Sequence, residues 1–481
     1  MPRPNLVLFM PDQLRADAVG CFGSAVAHTP TIDALAARGV RFDDAWSQHP
    51  VCGPSRVSIM TGWYPHVHGH RTLDNLIEPW EPNMLALLKQ AGYHVAIAGN
   101  RGDVFAPGVT EASSDFCGYL VKPTDMAARY TSPYPEDHRL HRAMYFGSGG
   151  DDVVLDMDEA AIRTAEQWLA EGAPSDQPWV LWIPLIFPHP PFVVEEPWFS
   201  MHDRSDMPAP IAAADGVGKA GFMAEYRDIY GWGDLTADDF AEIAATYHGM
   251  TSRVDDQLRR VLEAVDGIGA TDDTVVAFFT DHGEYLGDYG LVEKWPSGLD
   301  PSLARNPLIL AGGPIPEGLD VSSPVELIDL LPTLLDLAEH EASHTHFGRS
   351  LVPVMEDPTV PHREFACSQG GFRPTDVNLL ERPAWIYEPK GRLQHERPDL
   401  VGTATAIRTP GHTYVHRRHE ADELYDRVAD PDEIVNRIDD PALADVQADL
   451  RSRLLDWFAD TSDVIPWESN PRFPEIHHGW R

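Results

Sequence analysis

HPVCGPSRVSIMTGWYP, residues 49–65, is the stretch on which the interpretation of this chain depends. It places Cys52 two residues before Pro54, with Ser55 and Arg56 following directly. The pattern predicts that a helix begins at the motif. A lone cysteine before a proline turn is most often a buried structural residue. The specific residues that accompany Cys52 instead favour a functional cysteine.

Apolar runs and helical patterns alternate on both sides of this motif. Residues 5–10 form a continuous apolar run, as expected for a strand that is buried on both faces. Similar patterns predict strands at residues 93–98, 179–186, 274–280 and 307–311. Helices are predicted at residues 31–39, 83–89, 156–170, 237–265 and, interrupted by Pro332, 325–337. Helices that alternate with strands indicate an α/β fold built on a parallel sheet.

The pattern of the chain changes near residue 360. Beyond this point, short strands at residues 403–408 and 412–416 precede an amphipathic helix at 441–460. We therefore predict a catalytic α/β domain over residues 1–360. Residues 361–481 are predicted to form a small α+β subdomain with short antiparallel strands and a terminal helix.

The composition excludes several classes of protein. Among 481 residues, 75 are Asp or Glu and 37 are Lys or Arg, and the resulting charge of −38 would repel nucleic acid. No apolar run reaches membrane-spanning length. The N-terminus leads directly into the first strand and shows no secretory signal, so we expect a cytoplasmic protein. Four widely spaced cysteines indicate neither a disulfide framework nor a zinc ribbon. The acidic, lysine-poor composition fits a salt-loving host and a GC-rich genome equally well.

Acidic residues follow two of the predicted strands. Asp12 comes after the first strand, and Asp281 and His282 come after the strand that ends near Thr280. Ligand sites of α/β proteins form at the carboxyl ends of parallel strands. Oxygen donors at this position suit a hard divalent cation, for which calcium is favoured, whereas the histidine also admits manganese.

The motifs of this chain resemble those of the type I sulfatases, a branch of the alkaline phosphatase superfamily. The resemblance covers most of the chain. It rests on the motif at Cys52 and on NLVLFMPDQLR (5–15), TPTIDALA (29–36), DHGE (281–284), ELYD (423–426) and DPDE (430–433). It implies a large mixed sheet sandwiched by helices, as in alkaline phosphatase, and a small C-terminal α+β subdomain.

The resemblance also implies a chemistry for Cys52. In the family this cysteine is oxidised after translation to formylglycine, an aldehyde that hydrates to a geminal diol. One hydroxyl of the diol attacks sulfur and the alcohol leaves. Deprotonation of the other hydroxyl then expels sulfate and restores the aldehyde. The metal ligands carried over are residue 52 together with Asp12, Asp281, His282 and, less firmly, Gln13, which stands where many relatives have a second aspartate.

Three further residues take catalytic roles by the same resemblance. Arg56 would stabilise the diol and the negative charge near it, because its guanidinium suits an oxyanion. His189, between prolines, would bind the ester oxygen or protonate the leaving group. Lys294 would bridge a sulfate oxygen and the nucleophile.

The sequence departs from the family pattern after the strand that ends at Ala98. Many sulfatases have a lysine where this chain has Asn100, so either Arg101 supplies the cation or the substrate carries less charge. In the histidine-rich segment 66–71, we predict that His70 and Arg71 line the substrate pocket, in preference to a second metal site. Residues 192–236 are interpreted as a long irregular insertion that contributes to specificity.

The sequence thus predicts a hydrolase that cleaves a sulfate monoester with a formylglycine at residue 52 and one divalent cation. A small molecule or a saccharide sulfate is the expected substrate, and a formylglycine-generating enzyme is the expected maturation partner. A phosphonate monoester or phosphodiester hydrolase of the same superfamily is the first alternative, and a non-catalytic binding protein with this fold is the second. Neither the alcohol part of the substrate nor the oligomeric state is legible from the sequence.

Overall fold

The computed structural model of the chain describes residues 3–100, 102–124, 131–382 and 384–464. Its strands are β1 (Asn5–Asp12), β2 (Gly39–Phe42), β3 (Ala45–Trp46), β4 (His94–Ala98), β5 (Phe116–Gly118), β6 (Tyr145–Ser148), β7 (Trp179–Pro188), β8 (Phe192–Val194), β9 (Thr274–Phe279), β10 (Leu308–Ala311), β11 (Leu319–Val321), β12 (Val325–Glu326), β13 (Ala366–Gly370), β14 (Ala404–Arg408), β15 (His412–Arg417) and β16 (Glu423–Asp426). Its α-helices are α1 (Pro30–Ala37), α2 (Cys52–Thr61), α3 (Pro65–His68), α4 (Met84–Gln90), α5 (Val109–Ser113), α6 (Arg139–Arg142), α7 (Met157–Glu171), α8 (Trp198–Met201), α9 (Phe222–Tyr230), α10 (Ala237–Gly267), α11 (Pro301–Ala304), α12 (Leu330–Leu337), α13 (Val352–Glu356), α14 (Glu388–Glu396) and α15 (Ala444–Thr461). Among the described residues, no helix combines the length and the apolar character needed to cross a membrane.

Strand β1 lies inside an eight-stranded sheet of order β11-β2-β10-β9-β1-β7-β4-β5. It pairs in parallel with β7 on one side and with β9 on the other. Strand β10 runs antiparallel to both β9 and β2. The sheet is therefore mixed, with a parallel centre at which the carboxyl ends of β1, β7 and β9 share one edge.

Successive side chains of β1 enter two separate hydrophobic cores. Phe9 belongs to the core that also contains Trp168 of α7 and Leu258 of α10. Leu8 belongs to the core that contains Leu85 of α4. Because a strand presents alternate residues to opposite faces, helices cover both sides of the sheet. This arrangement explains why the sequence of β1 is continuously apolar.

The C-terminal part of the chain forms a second, antiparallel sheet of order β13-β14-β15-β16. Helix α15 packs on it through a shared core that includes Tyr414, Leu454 and Trp457. The predicted fold, a large mixed sheet sandwiched by helices and followed by a small α+β unit, is confirmed. The division into domains at residue 360 stays a prediction.

Two predicted elements differ from the structure. The helix predicted from Val325 begins only at Leu330, because Val325 and Glu326 pair with β3 and a short 3-10 turn follows them. Pro332 lies in the first turn of α12, where no amide partner is needed, so it does not interrupt the helix. Within residues 192–236, the predicted irregular insertion contains helix α9, whose buried face includes Phe222.

A buried ion-pair cluster joins the segment that precedes β13 to the large domain. The guanidinium of Arg363 lies 3.2 Å from Glu326 Oε2 and donates to both carboxylate oxygens of Asp329, one of them at 3.0 Å. All three side chains are buried. Burial alone would raise the pKa of Asp329, but Arg363 lowers it below its ordinary value. The cluster therefore needs the cation to keep two buried carboxylates compensated.

We expect Arg363→Met to lower the free energy of unfolding by about 3–5 kcal/mol, because it leaves two buried carboxylates without their cation. Arg453→Met is the matched control, since Arg453 pairs with Glu364 on the surface, and we expect it to cost about 0–1 kcal/mol. Urea unfolding of both variants measures the difference. Equal stabilities of the two variants would contradict this account of the cluster.

Candidate active site

The centre of the candidate site lies where β1 and β9 end side by side. Asp12 is the last residue of β1, and Asp281 and His282 follow β9 within three residues. The two strands are parallel neighbours, so their ends meet at the same edge of the sheet. All three side chains are buried, with 7%, 0% and 0% of their surface exposed.

Cys52 reaches this edge because it is the first residue of helix α2. Its Sγ lies 3.1 Å from His282 Nε2 and 3.6 Å from Asp12 Oδ1. One ligand atom from each of Asp12, Cys52, Asp281 and His282 lies within 4.8 Å of the others. The structure therefore gathers residues from three separate parts of the sequence into one buried cluster with the dimensions of a metal site.

Arg56 lies one helical turn after Cys52 and so faces the same cluster. Its Nε donates to Asp281 Oδ2 at 2.7 Å, and its Nη2 donates to Asp12 Oδ2. Its Nη1 donates to the backbone carbonyl of Gly102 at 2.8 Å. The planar guanidinium thus bridges the two carboxylates and fixes their relative positions.

The electrostatics of the cluster reflect two buried carboxylates at close range. Burial, followed by repulsion from Asp281, raises the pKa of Asp12 above its ordinary value. Burial opposes ionisation of Asp281 as well, but Arg56 lowers the pKa of Asp281 below its ordinary value. Burial and Asp12 raise the pKa of the Cys52 thiol well above its ordinary value. An unmodified thiol at this position is therefore protonated and weakly nucleophilic at neutral pH.

The donor set fits a divalent cation. His282 Nδ1 lies 2.9 Å from the carbonyl of Gly283, which fixes the ring hydrogen on Nδ1 and leaves the Nε2 lone pair facing the cluster. Two carboxylates and one imidazole supply hard oxygen and nitrogen ligands. A cation at this position would relieve the repulsion that raises the pKa of Asp12.

Gln13 lies beside the cluster and is held in a network of its own. Its backbone amide donates to Asp281 Oδ1 at 3.1 Å. Its side-chain nitrogen donates to Glu284, and its Oε1 accepts from Lys294 Nζ at 2.6 Å. Gln13 therefore contacts the cluster through its backbone amide and the lysine through its side chain, and its role as a metal ligand stays a prediction.

Lys294 and His189 are hydrogen-bonded neighbours in the lining of one cavity. Lys294 Nζ lies 2.9 Å from His189 Nε2 and 2.6 Å from Glu293 Oε1. Because His189 Nδ1 lies 2.6 Å from the carbonyl of Pro190, its hydrogen is on Nδ1, and Nε2 accepts from the lysine. Burial, reinforced by Lys294, lowers the pKa of His189 well below its ordinary value. The imidazole is therefore neutral, and the ammonium carries the positive charge.

These residues open into a cavity of about 590 Å³. Its lining includes the catalytic candidates and a group of residues from the C-terminal part of the chain, namely Asp12, Cys52, Arg56, Asn100, Asp103, His189, Glu293, Lys294, Glu381, Arg382, Trp385, Tyr387 and Lys390. The cavity is large enough for a drug-sized or monosaccharide-sized ligand. Residues beyond position 360 therefore help to form this cavity.

The structure describes three of the four predicted substrate-binding residues. Asn100 lines the cavity, but its Oδ1 accepts from the amide of Gly102 at 2.7 Å. Arg101 lies outside the described residues. Both ring nitrogens of His70 are engaged away from this cavity, by Glu81 and by a backbone carbonyl. Arg71 lines a different cavity. The prediction that His70 and Arg71 line the substrate pocket is not carried forward.

Lys390 of helix α14 is a site residue that sequence reasoning missed. Its Nζ lies 2.8 Å from Glu293 Oε2, while the other oxygen of Glu293 accepts from Lys294. Glu293 is 1% exposed, so both ion pairs are buried. The chain has only five lysines, and two of them line this cavity. The scarcity of lysine was therefore a signal in the sequence that could have pointed to Lys390. Glu293 thus positions Lys294 through one carboxylate oxygen and pairs with Lys390 through the other.

We expect Lys390→Met to lower kcat about tenfold with little change in KM, because Glu293 then pulls Lys294 away from the reacting ester. Lys89→Met removes the same charge from a lysine that pairs with Asp115 outside the cavity, and it should leave kcat unchanged. Steady-state kinetics of both variants test the expectation. Unchanged kcat in Lys390→Met would show that Lys294 needs no support from α14.

A buried cluster of two aspartates, a histidine and a cysteine that begins a helix, at the edge of a parallel sheet, fits the hydrolases of the alkaline phosphatase superfamily that the sequence motifs resemble. The family model described as Sulfatase matches residues 4–340. The chain therefore belongs to the sulfatase family and is a sulfatase-family enzyme.

Similar proteins cover nearly the whole chain. The "Multifunctional alkaline phosphatase superfamily protein PehA" of Trinickia caryophylli is 28% identical, over 98% of this chain and 99% of the relative. A choline-sulfatase of Rhizobium meliloti (strain 1021) is 26% identical, over 98% of this chain and 90% of the relative. The crystal structure of a phosphonate monoester hydrolase of Agrobacterium radiobacter has the same fold, with a TM-score of 0.74, 23% identity and coverage of 95% and 96%.

Proposed function

We propose that this enzyme hydrolyses a sulfate monoester with a formylglycine formed from Cys52. The observation that carries the proposal is the convergence of Asp12, Asp281 and His282 on Sγ of Cys52, with Arg56 bridging the carboxylates. A buried thiol that stays protonated is a weak nucleophile and would not account for the attack on sulfur. A hydrated aldehyde at the same place supplies one hydroxyl to attack sulfur and a second whose deprotonation releases sulfate.

The chain's own residues orient these events. Arg56 holds Asp12 and Asp281 in place and, one turn from residue 52, keeps positive charge beside the developing oxyanion. Lys294 lies in the same cavity and is positioned to bind a sulfate oxygen. Lys294 donates a hydrogen bond to His189, and in this proposal the pair supplies the proton that the departing alcohol requires.

The proposed cofactor is one divalent cation held by Asp12, Asp281, His282 and residue 52. Calcium fits the carboxylate donors best, and the imidazole also suits manganese. Such a cation, when bound, polarises the sulfur–oxygen bonds and stabilises negative charge in the transition state. A formylglycine-generating enzyme is the proposed maturation partner.

The size and lining of the cavity favour a small-molecule or saccharide sulfate. Trp385 and Tyr387 lie on the wall contributed by the C-terminal part of the chain. Aromatic side chains of this kind pack against sugar or aryl groups. The similarity to a choline-sulfatase supports a sulfate ester as the substrate. In this proposal, the aromatic wall selects the alcohol part of that ester.

A phosphonate monoester or phosphodiester hydrolase is the second candidate, and one observation favours it. The side chain at position 100 is a neutral amide, so this wall of the cavity lacks the lysine of many sulfatases. A binding protein without turnover is the third candidate.

Paired kinetics on 4-nitrophenyl sulfate and 4-nitrophenyl phenylphosphonate, with calcium or manganese present, distinguish the three candidates. We expect kcat/KM to be higher for the sulfate. A higher kcat/KM for the phosphonate would replace the first proposal by the second. Absence of turnover for both esters, in protein shown to carry formylglycine, would favour the binding protein.

A further inference from the structure

A second cavity, of about 210 Å³, lies between the segment around α3 and the antiparallel C-terminal sheet. It shares no lining residue with the catalytic cavity. Three arginines and three histidines are among its lining residues, and the described lining contains neither aspartate nor glutamate. In a chain with twice as many acidic as basic residues, this concentration of donors is the reverse of the average surface.

Arg71 is the first observation that points to a ligand. It is 9% exposed, and within the described part of the chain its guanidinium has neither a hydrogen-bond acceptor nor an ion-pair partner. A buried charge without a partner is costly, and buried arginines are normally paired. Asp376 is a nearby carboxylate, but Arg373 binds it through both its backbone amide and its guanidinium. The charge of Arg71 is therefore left facing the cavity.

His49 is the second, independent observation. It is 1% exposed, and its Nδ1 accepts from the amide of Val51 at 3.1 Å. The ring hydrogen of the neutral imidazole is therefore on Nε2. Among the described residues, this Nε2 is buried and has no hydrogen-bond partner. His49, like Arg71, is a lining residue of this cavity.

We propose that this cavity binds a small tetrahedral oxyanion, inorganic sulfate or phosphate, between Arg71 and His49. Two donors need a ligand that accepts, and a charged acceptor also compensates the buried guanidinium, which water does not. The cavity is wide enough for such an ion and too small for a chain of sugars. Arg418 adds positive charge to the lining, which raises the local concentration of anions against the acidic protein as a whole.

The proposal does not depend on the reaction that the enzyme catalyses. His49 lies only three residues before Cys52, yet the two sites have separate linings, so an anion can occupy each independently. Occupancy at Arg71 is therefore to be measured apart from occupancy at the catalytic cluster.

Crystals of the wild-type protein soaked in selenate, a sulfate analogue with an anomalous signal, provide the test. We expect a selenium peak within hydrogen-bonding distance of Arg71 and His49, in addition to any peak in the catalytic cavity. Arg71→Met should lose the first peak and keep the second, and Arg38→Met, at an exposed arginine that lines neither cavity, should keep both.

Equilibrium binding of selenate in solution should show the same loss, with at least about tenfold weaker affinity for one class of site in Arg71→Met. Selenate in the catalytic cavity alone would overturn the proposal, as would an unchanged peak in Arg71→Met. Density for part of the chain itself between Arg71 and His49 would overturn it too. The wild-type soak decides the matter if Arg71→Met does not fold.

Discussion

Cys52→Ala is expected to lower kcat/KM for a sulfate ester by about 10⁴-fold or more, because alanine lacks the thiol whose oxidation produces formylglycine. The remaining residues still bind the substrate, so binding of a product such as sulfate should persist. Kinetics and sulfate binding, measured on the same preparation, separate the two effects. Cys52→Ser should be equally inactive if an aldehyde hydrate is needed, since serine supplies only one hydroxyl.

Cys21→Ala is the matched control for this prediction. Cys21 is a half-buried cysteine next to α1 and does not line the catalytic cavity. We expect this variant to retain full activity. Substantial turnover by Cys52→Ala would show that another group attacks the ester, and the mechanism proposed for residue 52 would then be wrong.

Arg56→Met is expected to lower the free energy of unfolding by about 3–5 kcal/mol and kcat/KM by about 10²–10³-fold. The loss of stability follows because two buried carboxylates, Asp12 and Asp281, lose the cation that bridges them. A divalent cation neutralises the same two groups. Calcium should therefore stabilise Arg56→Met more than it stabilises the wild-type protein, and thermal unfolding with and without calcium measures this difference.

Arg56→Lys is the graded control, because it keeps the charge but cannot donate to both carboxylates in the same geometry. Its stability and activity should lie between those of the wild type and Arg56→Met. A variant Arg56→Met as stable as the wild type without metal would contradict the role of Arg56 as the bridge between the carboxylates.

The central features of the fold could be predicted from the sequence because the physical signals are local. Strand β1 is apolar without interruption since both of its faces enter a core. Local sequence patterns also predict that α2 begins at Cys52 and that carboxylates lie at the ends of strands. Parallel pairing of β1 with β9 then brings Asp12 and Asp281 together, although they are 269 positions apart in the sequence.

The outer part of the site could not be predicted in this way. Lys390 reaches the cavity from a helix that no local pattern ties to Lys294, and the contact arises only from the docking of the C-terminal region. His70 and Arg71 follow the cysteine motif closely in sequence, yet after α3 His70 binds Glu81 and Arg71 lines a different cavity. Closeness in sequence to Cys52 was therefore not a reliable guide to which residues line the catalytic cavity.

The most direct test of the account is the mass of the peptide that contains residue 52, from protein produced together with a formylglycine-generating enzyme. We predict a mass lower than that of the cysteine peptide, by the exchange of one sulfur for one oxygen and the loss of two hydrogens. The fraction of chains with this mass should rise in proportion to the sulfatase activity. Full activity in protein whose residue 52 is entirely unmodified cysteine would contradict the account.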